Sequence, residues 1–580
     1  MTANLLLAPG LLIIVAGLLL SFFSGWQQRL VVFISPLIAL WQLWSLPIGL
    51  HLTVSVASFN LDLLHTTATG RMFACAFIIA LWLGGLFALA SASRSELASA
   101  FIYAGSAISV TLCGDLISLF FFWELMAITS TIVIWSHRTQ QSWQAGLRYL
   151  LIHLAGGVIL LAGIAGIAIT DSSLTIGMLP TAGLARWLIL AGFLINAGAP
   201  PFSHWIADAY PSSSPTGMVF LSAFTTKTAV YVLIAYFAGE QILIPIGLYM
   251  AIYGVIYALR ENNIRRILAY SIVNQVGFMV VAVGIGSETA INGATAHAFA
   301  HILYKTVLLM AAGSVLLSVG KQHGDQLGNL FRKMPWTTGC VVIGAAASMG
   351  VPLTSSFITK SLILQSATEQ HLTWTWLILT GCSAAVVFNA GVRFPWLTFF
   401  QPQQSEAIEA GHDPNKTSLF AMCCGAAICL LIGLLPQQFY TMLPPHQPYH
   451  PYTLSHIVEQ FQLLVPAALL FFCFVPQPTA YVTLQLDFDW LFRRPLLGLW
   501  NNIILNLFDF GGRSRDIFVS ALVRSFMFLF RYHGPRGILA RSWPTGSIAL
   551  WVALILASYV ILYTLQSRSL AVFIQQSLFG

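Results

Sequence analysis

The sequence predicts an all-α membrane protein, a polytopic bundle of about 14–16 transmembrane helices, and three observations predict it. Of 580 residues, 57% are hydrophobic and only 8% charged, with a mean hydropathy of +0.80. A soluble globular domain carries about 25% charged residues. The apolar runs are about 16 to 25 residues long, the length that crosses a bilayer as a helix. They do not alternate with a period of two, as the roughly ten-residue strands of a membrane barrel do. Backbone groups in lipid must be paired within their own segment or around a closed barrel, so these runs are helices.

Taken in order, spans are expected at about 5–23, 30–50, 72–92, 98–114, 116–135, 147–169, 184–199, 217–238, 242–260, 267–286, 292–319, 337–352, 357–392, 417–437, 458–476 and 546–566. No cation precedes the first run, and Arg29 is the first in the chain, so that run reads as a retained helix rather than a signal peptide. The stretch 357–392 is too long for one straight span at about 1.5 Å per residue and should break near Gln365–Leu372. The eight cysteines lie mostly inside apolar runs without a C-x-x-C spacing and read as small core residues.

The net charge of +7 belongs to orientation rather than to nucleic acid. With the N-terminus outside, the inner loops collect Arg29, Arg94, Arg138, Arg148, Arg260, Arg265, Arg266, Lys321, Arg332 and Lys333. The outer loops hold Asp171, Glu240 and Glu288, with Arg71 and Arg186 as exceptions. The asymmetry follows the positive-inside rule and places both termini outside. The segment 477–545, apolar with spaced arginines, reads as interfacial helices on the inner surface. Residues 401–416 read as a polar loop with Glu406, Glu409 and Asp413.

Ionisable residues inside spans are functional candidates, because a charge in the bilayer is costly. Glu124 lies in Leu119–Met126 with no partner one turn away. Lys227 lies too deep to snorkel, after Pro215 and Gly217, where a broken helix would expose backbone groups. His297, His301 and Lys305 stand at i, i+4 and i+8, one stripe that water could link. Two histidines so spaced could instead hold a metal, but no carboxylate or thiol completes the set and Lys305 would repel a cation. Lys360 follows Gly350 and Pro352, and both Lys227 and Lys360 end a Ser-x-Phe-x-Thr-Lys string. The recurrence suggests two structural repeats, a common transporter plan. Burial disfavours the charged form of any such group and a nearby opposite charge restores it, which suits proton carriage. By this logic Glu124 and Lys227 should form a coupled pair.

At these residues the chain resembles the antiporter-like subunits shared by respiratory complex I and Mrp-type cation/proton antiporters. The matching strings are Phe122-Trp123-Glu124-Leu125-Met126, Pro201 to Pro211 continuing to Thr226-Lys227, and Arg265-Arg266-Ile267-Leu268-Ala269-Tyr270-Ser271 with Gln275 and Gly277. His301-Ile302-Leu303-Tyr304-Lys305 with Gly313-Ser314-Val315, and Gly350-Val351-Pro352 to Phe357 and Lys360, complete the set. Further on, Val392–Phe400, His450–Thr453 and Leu486-Asp487-Phe488-Asp489-Trp490 resemble the D-type component of Mrp antiporters. The resemblance implies two inverted five-helix repeats containing broken helices, with Glu124 and Lys227 in one and Lys305 and Lys360 in the other. It implies proton translocation through Glu124, Lys227, His301, Lys305 and Lys360, supported by His297, Arg265, Pro215 and Pro352. The family often has Lys at Asn196, and Asp-x-Lys-Arg at Asn263-Ile264-Arg265-Arg266, where Arg265 can hold charge but relays protons poorly.

The division implied is 1–97 as N-terminal spans, 98–260 and 261–400 as the two antiporter-like repeats, and 401–476 as further spans. A basic interfacial segment at 477–545 and a last span and tail at 546–580 follow. The leading expectation is a D-like proton-translocating subunit of a multisubunit Na+/K+/proton antiporter in a bacterial inner membrane, working with other membrane subunits. The alternatives are a proton-pumping subunit of a redox-driven complex, such as a quinone reductase or membrane hydrogenase, or the membrane module of an inorganic-carbon uptake system. No iron–sulfur spacing, haem signature or dinucleotide fingerprint is present, so no cofactor and no metal is expected in this chain, which would carry no redox chemistry of its own.

Overall fold

Runs of apolar residues punctuated by Ser, Asp, Asn, Gly and Pro set the helix boundaries of the computed structural model. The structure describes residues 8–56, 59–169, 174–177, 179, 183–402, 411–444, 449–474, 487, 490, 520, 521, 523–525, 527, 528, 531 and 549–564. The chain divides into two units, Met1–Phe488 and Asp489–Gly580. In the first lie α1 (Pro9–Leu20), α2 (Trp26–Ser45), β1 (Gly49–Val56), β2 (Phe59–Thr66), α3 (Ala68–Ala88), α4 (Arg94–Leu112), α5 (Leu116–Trp135), α6 (Gln140–Ile169) and α7 (Leu184–Ala197). There follow α8 (His204–Ser212), α9 (Gly217–Ala223), α10 (Thr225–Phe237), α11 (Leu243–Arg260), α12 (Ile264–Ile285) and α13 (Glu288–Val319). The unit continues with α14 (Pro335–Met349), α15 (Ser355–Glu369), α16 (Thr373–Ala385), α17 (Lys416–Leu434), α18 (Pro436–Tyr440) and α19 (Leu454–Phe474). The described part of the second unit contains the apolar helix Ala549–Thr564.

Among the described residues, eleven helices are long and apolar enough to cross a membrane, and Pro9–Leu20, Leu184–Ala197 and Ala549–Thr564 are shorter apolar helices. The core runs along α12, whose apolar window is 100% buried, while α19 at the rim is 17% buried. Side-chain caps start the helices where the sequence offers them. Asp115 Oδ1 accepts from Ile117 N and Ser118 N at 2.9 and 2.8 Å at the head of α5. Asn263 Oδ1 accepts from Arg265 N at 2.9 Å at the head of α12. Gly286, with φ +72°, ends α12, and Ser287 immediately caps α13, so the two central helices turn back on each other within two residues.

Three expectations are corrected, and one break is found where it was expected. The span expected at 30–50 ends at Ser45, because Pro47 and Gly49 stop it, and an antiparallel hairpin of β1 and β2 follows. Leu52 and Leu64 face inward from it, and Gly114 N donates to Asp62 O at 2.8 Å, so the hairpin caps the α4–α5 turn. The span expected at 217–238 is two helices divided at Phe224. The long run 357–392 does break as its length requires, between Glu369 and Thr373, and beyond Ala385 it continues through π-helical turns. Arg265, expected in a loop, is inside α12 and buried.

The two cations that break the charge asymmetry are both tied down. Arg186 pairs with Glu240 at 2.7 Å, and Arg71 Nη2 donates to Leu46 O at 2.5 Å. Of the Leu486–Trp490 string, Asp487 is buried and accepts from Tyr253 OH at 2.7 Å and from Tyr270 OH at 3.1 Å. The interfacial helices expected at 477–545, and Glu406 and Glu409 of the 401–416 loop, lie outside the described residues apart from isolated positions. Asp413 accepts from Thr337 N and Oγ1 at 3.0 and 2.7 Å and caps α14.

Helices α11 and α12 cross at small residues, as membrane helices do when backbones approach. A Cβ at Gly254 would collide with Asn274 N and stand 2.6 Å from Tyr270 O, both backbone atoms that cannot step aside. Gly254→Ala should therefore lower the melting temperature of the detergent-solubilised protein, by a loss of about 1–3 kcal/mol. Gly381→Ala, where nothing lies within 4 Å, should leave it unchanged or raise it slightly.

Candidate functional site

The break at Phe224 decides where Lys227 can sit. Ser222 is in the last turn of α9, where carbonyls have no helical partner. Lys227, wholly buried, donates through Nζ to Ser222 O at 2.6 Å and to Thr226 Oγ1 at 3.1 Å. Lys360 repeats the arrangement. Its Nζ donates to Ser348 O, in the last turn of α14, at 2.9 Å, lies 3.5 Å from Ser383 Oγ, and faces the Phe278 ring at 5.8 Å. Pro215 and Pro352 stand in the connections that lead into α9 and α15, so each prepares a helix start rather than the break itself. Lys305 projects from α13 to α12, donating to the Ser271 hydroxyl and to Leu268 O at 3.4 Å.

The histidines lie between these ammoniums. His297 shares hydrogen bonds with Thr359 Oγ1 at 2.9 Å and Gln275 Oε1 at 3.0 Å, which ties α13 to α15 and α12. His301 is fully buried and neither ring nitrogen has a partner. Its ring is 6.2 Å from that of His297 and 5.2 Å from that of Tyr304. His301 lies within electrostatic reach of Lys227, Lys305, His297 and Lys360, and Lys227 within reach of Lys305. The structure thus brings Lys227, Lys305, His297, His301 and Lys360 into one buried set. None of the three lysines makes an ion pair among the described residues. Nor do three or more His, Cys, Asp or Glu side chains there converge as metal ligands.

Glu124 stands apart from that set, and the expected Glu124–Lys227 pair is not closed. The carboxylate packs on Gly157 of α6, and its Oε1 has no partner. Near the two lie polar groups that sequence reasoning missed. His153, one turn from Gly157, engages Tyr149 O through Nδ1 at 2.8 Å and leaves Nε2 unpartnered. Tyr149 OH shares hydrogen bonds with Ser130 Oγ at 2.9 Å and Thr225 Oγ1 at 3.3 Å, and Tyr103 OH meets Thr225 Oγ1 at 2.5 Å. Thr225 opens α10, two residues before Lys227. His153 was findable, because it is an ionisable residue inside an apolar run, the criterion that picked out Glu124. The tyrosines and Thr225 were not, since nothing local marks a hydroxyl as part of a chain. Asn196 is buried with neither amide atom partnered, and Arg265 donates to Ser213 O and Ser214 O at 3.0 and 2.9 Å.

A methyl group on Gly157 would occupy the place of Glu124 Oε1 and lie 2.8 Å from Cδ. A carboxylate at the end of a flexible side chain can swing away, so Gly157→Ala should insert and melt normally. It should nonetheless lower proton-coupled transport in vesicles about tenfold or more, because a carboxylate displaced by an ångström loses its alignment. Full activity would mean that the position of Glu124 is unimportant.

Residues 113–387 match the family described as NADH:quinone oxidoreductase/Mrp antiporter, TM. The chain is 28% identical over 358 residues to the probable A/B component of a K(+)/H(+) antiporter from Rhizobium meliloti strain 1021, covering 58% of this chain and 36% of that one. It is 29% identical over 276 residues to the D component of the Na(+)/H(+) antiporter from Alkalihalophilus pseudofirmus, covering 44% of this chain and 56% of the relative. The chain thus spans only part of the length of either curated relative. Its fold matches a chain of the membrane-bound sulfane sulfur reductase, an archaeal respiratory membrane complex, with a TM-score of 0.70 at 21% identity, over 94% of this chain and 99% of that one. Similar over residues 113–387 to that family, the chain is a polytopic, antiporter-like membrane protein, homologous to the D component of a Na(+)/H(+) antiporter and to the M component of NADH-quinone oxidoreductase.

Proposed function

We propose that the chain is a D-like, proton-translocating membrane subunit of a multisubunit Na+/K+/proton antiporter. The observation that carries this reading is the buried set of three lysines and two histidines within electrostatic reach of their neighbours in the set, with no ion pair to neutralise the lysines among the described residues. Like charges in a buried, low-dielectric setting oppose each other, so a proton arriving on one lysine works against the proton held by the next. His301, with both nitrogens unpartnered, can take up what a neighbouring lysine releases. Glu124 supplies the negative charge at one end, and His153 with the hydrogen-bonded hydroxyls of Tyr149 and Thr225 are the polar groups that water would join into a route towards Lys227. The antiporter components among the relatives support the exchange of protons for a monovalent cation.

In this reading 98–260 and 261–400 are two inverted repeats. What supports it is that Lys227 and Lys360 end matching strings, and each rests on a carbonyl from the last turn of the preceding helix. The protein would sit in a bacterial inner membrane with both termini on the outer side, in keeping with its loop charges. The likeness to a respiratory sulfane sulfur reductase favours one other reading, a proton-pumping subunit powered by a redox partner. Copurification separates the two: small antiporter subunits support the first, and dehydrogenase or hydrogenase subunits the second.

Lys227→Ala should reduce proton-coupled Na+ or K+ exchange in everted vesicles to background while the protein inserts at the normal level. Near-normal exchange at equal expression would refute the role of Lys227.

A further inference from the structure

Ser93 and Glu96 are spaced as a capping box, in which the Glu would fold back onto the Ser93 amide. Ser93 does its part, its Oγ accepting from Glu96 N at 3.2 Å. The Glu96 carboxylate goes elsewhere. It is 2% exposed, and its Oε1 accepts from Ser214 Oγ at 2.7 Å and from the Thr216 hydroxyl. The same turn is gripped from another side by Arg265, also 2% exposed, through the carbonyls of Ser213 and Ser214. Its Nε lies 3.3 Å from Met218 Sδ, on the first turn of α9. The carboxylate and the guanidinium make no direct ion pair, but both hold this turn and lie within electrostatic reach of each other.

We propose that Glu96 and Arg265 form a buried charge clamp on the Ser213–Thr216 turn, and that Glu96 is thereby a positioning residue for proton transfer between Lys227 and Lys305. This rests on the reading of those lysines as proton carriers. Arg265 is one helical turn from Leu268 and two from Ser271, the groups that hold Lys305. The first two turns of α12 therefore grip the lead-in to the Lys227 helices at one end and Lys305 at the other. The turn also abuts α13 directly, since a Cβ on Gly313 would stand 2.8 Å from Pro215 O. With the clamp closed, the Lys227 segment keeps one register against α12 and α13. Without Glu96, Arg265 is a buried charge lacking its counter-charge, and the turn loses two hydrogen bonds.

A double-mutant cycle of Glu96→Gln and Arg265→Gln on the melting temperature of the purified full chain tests the clamp. The double variant should lose clearly less than the two single losses combined; simple additivity would overturn the pairing. Transport tests the positioning. In everted vesicles, Glu96→Gln should lower the maximal rate of NaCl- or KCl-driven proton exchange per inserted molecule about 10- to 100-fold. The apparent KM for the cation should stay unchanged, and Glu96→Asp should recover part of the rate. An unchanged rate per molecule with only less protein would make Glu96 structural and overturn the assignment. If Glu96→Gln fails to accumulate, Thr216→Val, which removes one donor, should show a smaller loss of the same kind, and a normal rate there would overturn it equally. Normal exchange in Lys227→Ala would instead overturn the lysine relay, and with it the positioning role, while the melting cycle still reports on the clamp.

Discussion

An ammonium buried in a lipid-embedded bundle needs oxygen ligands, and a regular helix has none to spare, because each of its carbonyls already accepts a backbone hydrogen bond. The central architecture depends on that constraint. Lys227 rests on the Ser222 carbonyl beside the Phe224 break, and Lys360 on the Ser348 carbonyl where α14 ends. Lys305 relies on the Ser271 hydroxyl, with Leu268 O as a longer second contact. The breaks offer strong acceptors at this depth without bringing in a carboxylate. A carboxylate would fix each lysine in an ion pair, whereas a carbonyl ligates it and leaves its charge responsive to its neighbours.

The same logic separates the two kinds of charged contact in the fold. Where the charge is structural, it is paired: Arg148 with Asp208, Arg186 with Glu240, and Arg266 with Glu261. Along the central row the pairing stops, and hydroxyl, amide and imidazole groups take its place. Gln275 shows how such a row is kept in order. It is bonded by both His297 and Tyr304 and donates to Asn274, whose own amide donates to Ala251 O at 2.8 Å, so α11, α12 and α13 hold the imidazole together. Helices α11 and α12 can come so close because Gly247, Gly254 and Gly277 leave backbone against backbone.

Glu124 marks the edge of this organisation. Its carboxylate sits on Gly157 with one oxygen unpartnered, and the row of basic groups begins on the far side of Tyr149 and Thr225. The pair inferred from opposite charges is therefore open, and the hydrogen-bonded Tyr149 and Thr225 are among the polar side chains near it. Glu96, which sequence spacing marks as a helix cap, is the carboxylate that shares a turn with a buried cation instead, through Ser214 and Thr216.

Much of the fold was legible because lipid makes strong demands on sequence. Span length, the interruption of the 357–392 run and the buried lysines follow from hydropathy and from the rarity of charge in apolar segments, and each is a local property. The β1–β2 hairpin was missed because its alternation sits beside longer apolar runs that dominate the hydropathy signal. The polar partners were not legible. Tyr103, Tyr149, Thr225 and Gln275 are ordinary residues in helices, and they matter only because distant segments set them at hydrogen-bond distance. By itself the sequence determined that Glu124, Lys227, Lys305 and Lys360 lie inside apolar helices, and where most of those helices run. Tertiary structure alone decided which of those groups meet, because a contact across helices depends on crossings, breaks and turns that no local period encodes.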